Sequence, residues 1–239
     1  MYKAILFSAL CAILTVPLAL NATRAATPTG EFAIEGAGFA TCSAFIAARK
    51  ARTELRTEKA DPDAMAGVDS YARFIGWIEG YLTATNRYMA DTFDVAPWQT
   101  PELYGVIVSE HCEKNPEERL YSVVMKMVTT LSDDRMKVPS EQVGLSIKGR
   151  GFTLYTEVIR RTQDALKKQG LYRGATNGVW DTDTQKGVAS YQAVVGLQDT
   201  GLPDPLTLWL LFSPTKTQAD AMAATAAAKA AKSTAKSTK

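Results

Sequence analysis

The chain has 239 residues, 46% hydrophobic, 22% charged and 9% aromatic, which suits one large or two small folded units and excludes a disordered chain, a collagen or a coiled-coil rod. Twenty-seven basic against 25 acidic side chains leave a net charge of +2, too little to bind nucleic acid through overall charge. A single histidine, His111, cannot supply a two- or three-histidine zinc site; no metal site is read, and no motif implies a cofactor.

The first 26 residues read as an address. Lys3 gives a basic start, Ala4 to Leu20 is an uncharged and mostly apolar run, and Asn21 to Ala26 ends in small residues. This is the order of a secretory signal, with cleavage after Ala25 or Ala26. The run is short for a membrane span and holds Ser8, Thr15 and Pro17, so no stable span is expected once it is removed. Cys11 lies within the run behind Leu10, which argues against lipidation. Export to the periplasm follows. Two cysteines remain, Cys42 and Cys112, and an even pair in an oxidising compartment reads as a disulfide.

Residues 27–131 form a helical unit that is acidic on balance. A first helix opens at Thr41 beside Cys42 and runs to about Arg56. A second runs from about Pro62 to Tyr88, with Tyr71, Ile75, Ile78 and Leu82 on one face. A third starts at Thr100-Pro101, a cap followed by proline at the first helical position, and ends near Cys112. A fourth is expected from Asn115-Pro116, with Glu117 and Glu118 at its positive end and Leu120, Val124, Met127 and Leu131 along one side. The bridge would tie the first helix to the third. Glu79 reads as a surface glutamate, since no partner carboxylate is marked, and His111 as a side chain favoured by the negative end of a helix.

Residues 132–152 carry Pro139, Gly144, Gly149 and Gly151 without a sustained apolar period, and read as a linker. Beyond them the chain repeats itself. Gly178-Val179-Trp180-Asp181-Thr182-Asp183-Thr184 and Gly201-Leu202-Pro203-Asp204-Pro205-Leu206-Thr207 share G-x-x-D-x-x-T. The glycine permits a tight turn and the aspartate caps the helix that follows. Three helices are expected, about 155–169, 182–195 and 204–212, stopped at Gly170 and Gly196. Their buried faces would hold Tyr155, Ile159, Leu166, Val188, Tyr191, Val195, Leu208 and Leu211. Residues 214–239 are alanine- and lysine-rich, without large apolar residues after Met222, and are expected to be a disordered tail or a frayed helix.

Two resemblances emerge from these motifs. Gly36-Ala37-Gly38 before Thr41-Cys42, Ile75-Gly76-Trp77-Ile78-Glu79-Gly80-Tyr81-Leu82, and His111-Cys112-Glu113-Lys114-Asn115-Pro116 resemble HdeA-type acid-stress chaperones and immunity proteins of wall amidases. That resemblance implies a protein-binding domain with no catalysis. Thr162-Gln163, Leu166, Gly170-Leu171-Tyr172, Asn177-Gly178-Val179-Trp180, Tyr191-Gln192, Gly196-Leu197 and Thr200-Gly201 resemble the peptidoglycan-binding domain 1 family over about residues 153–213. It implies a compact three-helix wall-binding module, with Tyr172, Asn177, Gly178, Trp180 and Gln192 as the ligand contacts. Trp180 could equally be core. Asn177, Asp181-Thr182, Gly187 and Tyr191 depart from the family's common residues.

The expected fold class is therefore all-α: a disulfide-bridged helical domain, 27–131, followed by a peptidoglycan-binding-like domain, 153–213. The expected function is a non-enzymatic periplasmic protein that binds peptidoglycan and presents a helical domain to a protein partner. The alternative is a peptidoglycan hydrolase, or an accessory subunit of one.

Overall fold

A computed structural model describes residues 27–213, apart from Pro28, residues 56–61 and Lys148. The expected signal segment and the expected tail lie outside the described residues. Of the described residues, those from 35 to 213 form one compact unit, and residues 27–34 belong to a separate one.

Four helices form where their apolar spacing places them: α1, Cys42–Leu55; α2, Pro62–Tyr88; α3, Pro101–Cys112; and α4, Leu120–Leu131. Tyr71, Ile75, Ile78 and Leu82 of α2 and Leu120, Val124, Met127 and Leu131 of α4 are all buried in one core. Phe45 of α1 enters that core edge-on to Phe74, with ring centroids 5.5 Å apart. Thr100 caps α3, its Oγ1 accepting from the Leu103 amide, with Pro101 next in line. A disulfide joins Cys42 to Cys112 with their Cα atoms 4.8 Å apart, tying the start of α1 to the end of α3. Glu79 is exposed on α2.

The fourth helix starts later than its sequence signals indicate. Proline and two glutamates after Asn115 look like a first turn, yet the helix begins at Leu120 behind Arg119. The carbonyls of Pro116 and Glu118 are used elsewhere: they accept from the amides of Ser43 and Cys42, at 2.9 and 2.8 Å. Those amides belong to the first turn of α1, where no intrahelical partner exists. One helix N-terminus is thus satisfied by the backbone that would have begun another. Glu118 also bonds His111 and Lys126 through its carboxylate, each at 2.6 Å, and the contact with His111, then that with Lys126, holds its carboxyl below the usual range.

The stretch expected as a linker is structured, and the fold is not purely helical. After a short 3-10 turn at Ser132–Asp134, Met136 pairs with Asp94 in an isolated antiparallel bridge and is 1% exposed. Strands β1, Gln142–Ile147, and β2, Arg150–Tyr155, then pair as an antiparallel hairpin in which Val143 faces Leu154 and Leu145 faces Phe152. The hairpin has an apolar alternation, and it leads directly into the next helix.

Three further helices follow: α5, Thr156–Lys168; α6, Thr182–Val194; and α7, Pro205–Phe212. Helices α5 and α6 both end in the same way. Leu171 and Leu197 donate back to Leu166 and Gln192, while Gly170 and Gly196 donate to Lys167 and Ala193, the paired bonds of a Schellman closure. Leu166, Val188, Tyr191, Val195 and Leu211 share one apolar cluster, as their spacing predicts. Ile159 and Leu208 belong to a second, which also contains Val158, Leu154, Met136 and Trp98. Trp98 lies edge-on to Phe212 at 5.6 Å and to Trp209 at 6.4 Å. The core of the last three helices therefore continues into residues that precede the hairpin.

Candidate functional site

The two repeated loops have matching internal geometry. Gly178 and Gly201 hold φ at +76° and +70°. A Cβ at Gly178 would stand 2.6 Å from the Thr156 carbonyl oxygen, so both the conformation and the close approach require glycine. Asp181 then caps α6: its Oδ1 accepts from the Thr184 amide and hydroxyl, both at 2.7 Å. Asp204 caps α7 through the amides of Leu206 and Thr207 and the Thr207 hydroxyl, at 3.1, 3.0 and 2.9 Å. The Thr184 hydroxyl, and then its amide, hold the Asp181 carboxyl below the usual carboxylate range.

Each loop is organised around a buried glutamine. Gln163 of α5 donates Nε2–H to the Val179 carbonyl and the Thr184 hydroxyl, and its Oε1 accepts from the Gly178 amide, at 2.8, 2.9 and 2.9 Å. Gln192 of α6 makes the same three bonds to Leu202, Thr207 and Gly201, at 2.8, 2.9 and 2.8 Å. Both glutamines are essentially inaccessible. An amide carries both donor and acceptor, so one side chain can pin a loop amide, a loop carbonyl and the capping threonine together. The repeat motif did not reveal this role. The signal is a glutamine on the preceding helix, but it stands 15 residues before Gly178 in one copy and 9 before Gly201 in the other.

The expected ligand contacts divide accordingly. Gln192 is a correction: its polar atoms are committed to the second loop, and it offers no surface amide. Tyr172 is largely covered but lines a depression beside α6. It is 3% exposed, packs with Leu166 and Val188, and donates its hydroxyl to the Ala175 carbonyl at 2.8 Å. Gly178 is buried behind its own loop, with its amide on Gln163. Asn177 is exposed, its Oδ1 accepting from the Val179 amide at 3.0 Å. Trp180 is half-buried and packs against both apolar clusters with part of its ring left accessible. The structure brings Asn177, Gly178 and Trp180 together on the first loop, places Tyr172 at the depression beside α6 and places Gln192 in the interior.

Two depressions adjoin the loops. The first, of about 320 Å³, lies between residues 171–174 and α6, with Arg173, Lys186 and Ser190 among its lining groups. Lys186 is 3.6 Å from Asp183 there, both well exposed. The second, of about 610 Å³, opens where the second loop meets the hairpin and the start of α3.

Residues 156–211 match the family described as "Putative peptidoglycan binding domain". No curated protein and no solved structure matches the chain. The matched segment takes in α5, α6, both loops and α7 up to Leu211, so the glutamine-centred repeat is its framework. The match begins at the first residue of α5 and leaves out the hairpin and the four preceding helices.

Proposed function

We propose that this is an exported, periplasmic, non-enzymatic protein that holds peptidoglycan through residues 156–211 and offers its disulfide-bridged helical region to a protein partner. The observation that carries the reading is the doubled loop framework within the segment of peptidoglycan-binding type. Export is supported by the basic, apolar and small-residue order of the first 26 residues and by the Cys42–Cys112 pair. Asn177 and the open part of Trp180 are the contacts on the first loop: wall polymer offers amides and hydroxyls to an amide side chain and an apolar ring. The helical region takes the chaperone- or immunity-like role that its resemblance implies.

The test is co-sedimentation of the purified protein with peptidoglycan sacculi, paired with a zymogram. The protein should pellet with wall and leave the zymogram uncleared. Asn177→Ala should weaken retention while changing stability by no more than about 0.5 kcal/mol. Protein that stays in the supernatant at every concentration rejects wall binding, and a cleared band rejects the non-enzymatic reading.

A further inference from the structure

The larger depression is a cleft that the peptidoglycan-binding domain does not build alone. One wall is the second loop, with Pro203 and Pro205; the others are β2, with Arg150 and Phe152, and the approach to α3, with Trp98 and Glu102. Three elements that are distant in sequence converge on one opening. Its apolar lining is rigid. Trp98 is held edge-on by Trp209 and Phe212 and is 8% exposed, and both prolines have restricted backbones.

The charged side chains of the cleft are of two kinds. Asp204 lines the cleft, but both of its oxygens serve the cap of α7. Glu102 and Arg150 are exposed on separate elements, α3 and β2, and neither side chain forms an ion pair or a hydrogen bond among the described residues. A cation and an anion at the edge of an apolar cleft fit a ligand that itself carries both signs. The sugar backbone of peptidoglycan does not have that character, and it favours an open aromatic face, which the nearly covered Trp98 does not provide. The peptide stem does: it carries free carboxylates and, in its diamino acid, an ammonium group.

We propose that this cleft seats the peptide stem of peptidoglycan, with Arg150 pairing a stem carboxylate, Glu102 the ammonium group, and Phe152 and Pro203 covering the small side chains between them. The planar guanidinium suits a carboxylate because it can offer two parallel N–H groups. The proposal rests on the wall-binding reading above and goes beyond it by placing recognition partly outside residues 156–211.

Sedimentation of the full chain with sacculi tests it, with a soluble stem tetrapeptide and an N-acetylglucosamine oligomer as competitors. Arg150→Glu should weaken retention about tenfold or more, while Lys168→Glu, an equal charge change outside the cleft, should leave it close to the parent. Glu102→Lys is the sharper variant. It makes the protein more basic, so non-specific attraction to the anionic wall would rise, and weaker binding by the same order would report the cleft. Both substitutions are at exposed positions, and an unchanged melting temperature checks that the fold is intact. The tetrapeptide should displace the protein and the sugar oligomer should not. If the parent pellets and the Arg150 and Glu102 variants pellet equally well, or if the sugar oligomer alone competes, the cleft assignment is overturned while wall binding stands. If the parent does not pellet, wall binding itself is rejected and this assignment falls with it.

Discussion

Residues 42–131 and residues 156–212 are both helical, but different forces hold them. The first region has a broad apolar core, from Phe45 through Ile78 to Val124, and a disulfide that closes a loop of 70 residues. The second has three short helices and relies on Gln163 and Gln192, whose amides are fully hydrogen-bonded at its centre. The contrast follows from size. A small helical unit buries too little apolar surface to determine the path of its loops, so a satisfied polar network does so. Such a network tolerates little damage, because a loop amide or carbonyl that loses its partner is left buried and unbonded.

The comparison is most easily broken where the regions meet. Trp98 and Met136 contribute to the cluster that buries Val158, Ile159 and Leu208. Trp98→Ala should cost about 3–5 kcal/mol, and the helical region and residues 156–212 should lose stability together in one denaturant transition. Two separate transitions, with one unmoved, would show that the regions are independent after all. A fragment of residues 146–215 exposes the same face and should be less stable than the domain within the full chain.

Removal of the disulfide comes next in size. Cys42→Ser with Cys112→Ser should destabilise by about 4 kcal/mol in the chain-entropy account. In the native protein both cysteines should resist alkylation until a reductant is added, and free thiol on both would contradict the bond. Gln163→Leu tests the polar hub. It leaves the Gly178 amide and the Val179 carbonyl without partners and should cost about 3 kcal/mol, read from urea denaturation. A loss below about 1 kcal/mol would mean that the loop finds other partners and that the network is not what organises it.

The smallest effect concerns the caps. Asp181→Ala should cost about 1 kcal/mol at neutral pH. The Asp181 carboxyl is held below its ordinary value by Thr184, so its contribution is present above the unfolded value of about 3.9 and is lost as the pH falls through the lower folded value. The difference in melting temperature between parent and variant should therefore shrink in strong acid. A difference that stays constant down to pH 2 would remove the carboxylate from the cap.

Several features of this protein were legible in its sequence because their causes are local. The faces of α2 and α4, the proline after the Thr100 cap, the glycine stops at 170 and 196 and the aspartate caps each depend on residues within a few turns of one another. All of these are in place in the structure. The hairpin was less legible. Val143, Leu145 and Ile147 alternate and are answered by Phe152 and Leu154, but two short strands gain stability only by packing, and the glycines among them read equally well as a linker. Tertiary structure alone decided three further points. It delayed α4 to Leu120, because carbonyls of Pro116 and Glu118 were needed at the start of α1. It buried Tyr172 and Gln192, residue types that serve a surface or an interior equally well. It also joined the second loop to Trp98 and β2 around one cleft. Each of these depends on which backbone or side chain arrives from far along the chain, and the spacing of residues within one segment carries no record of that.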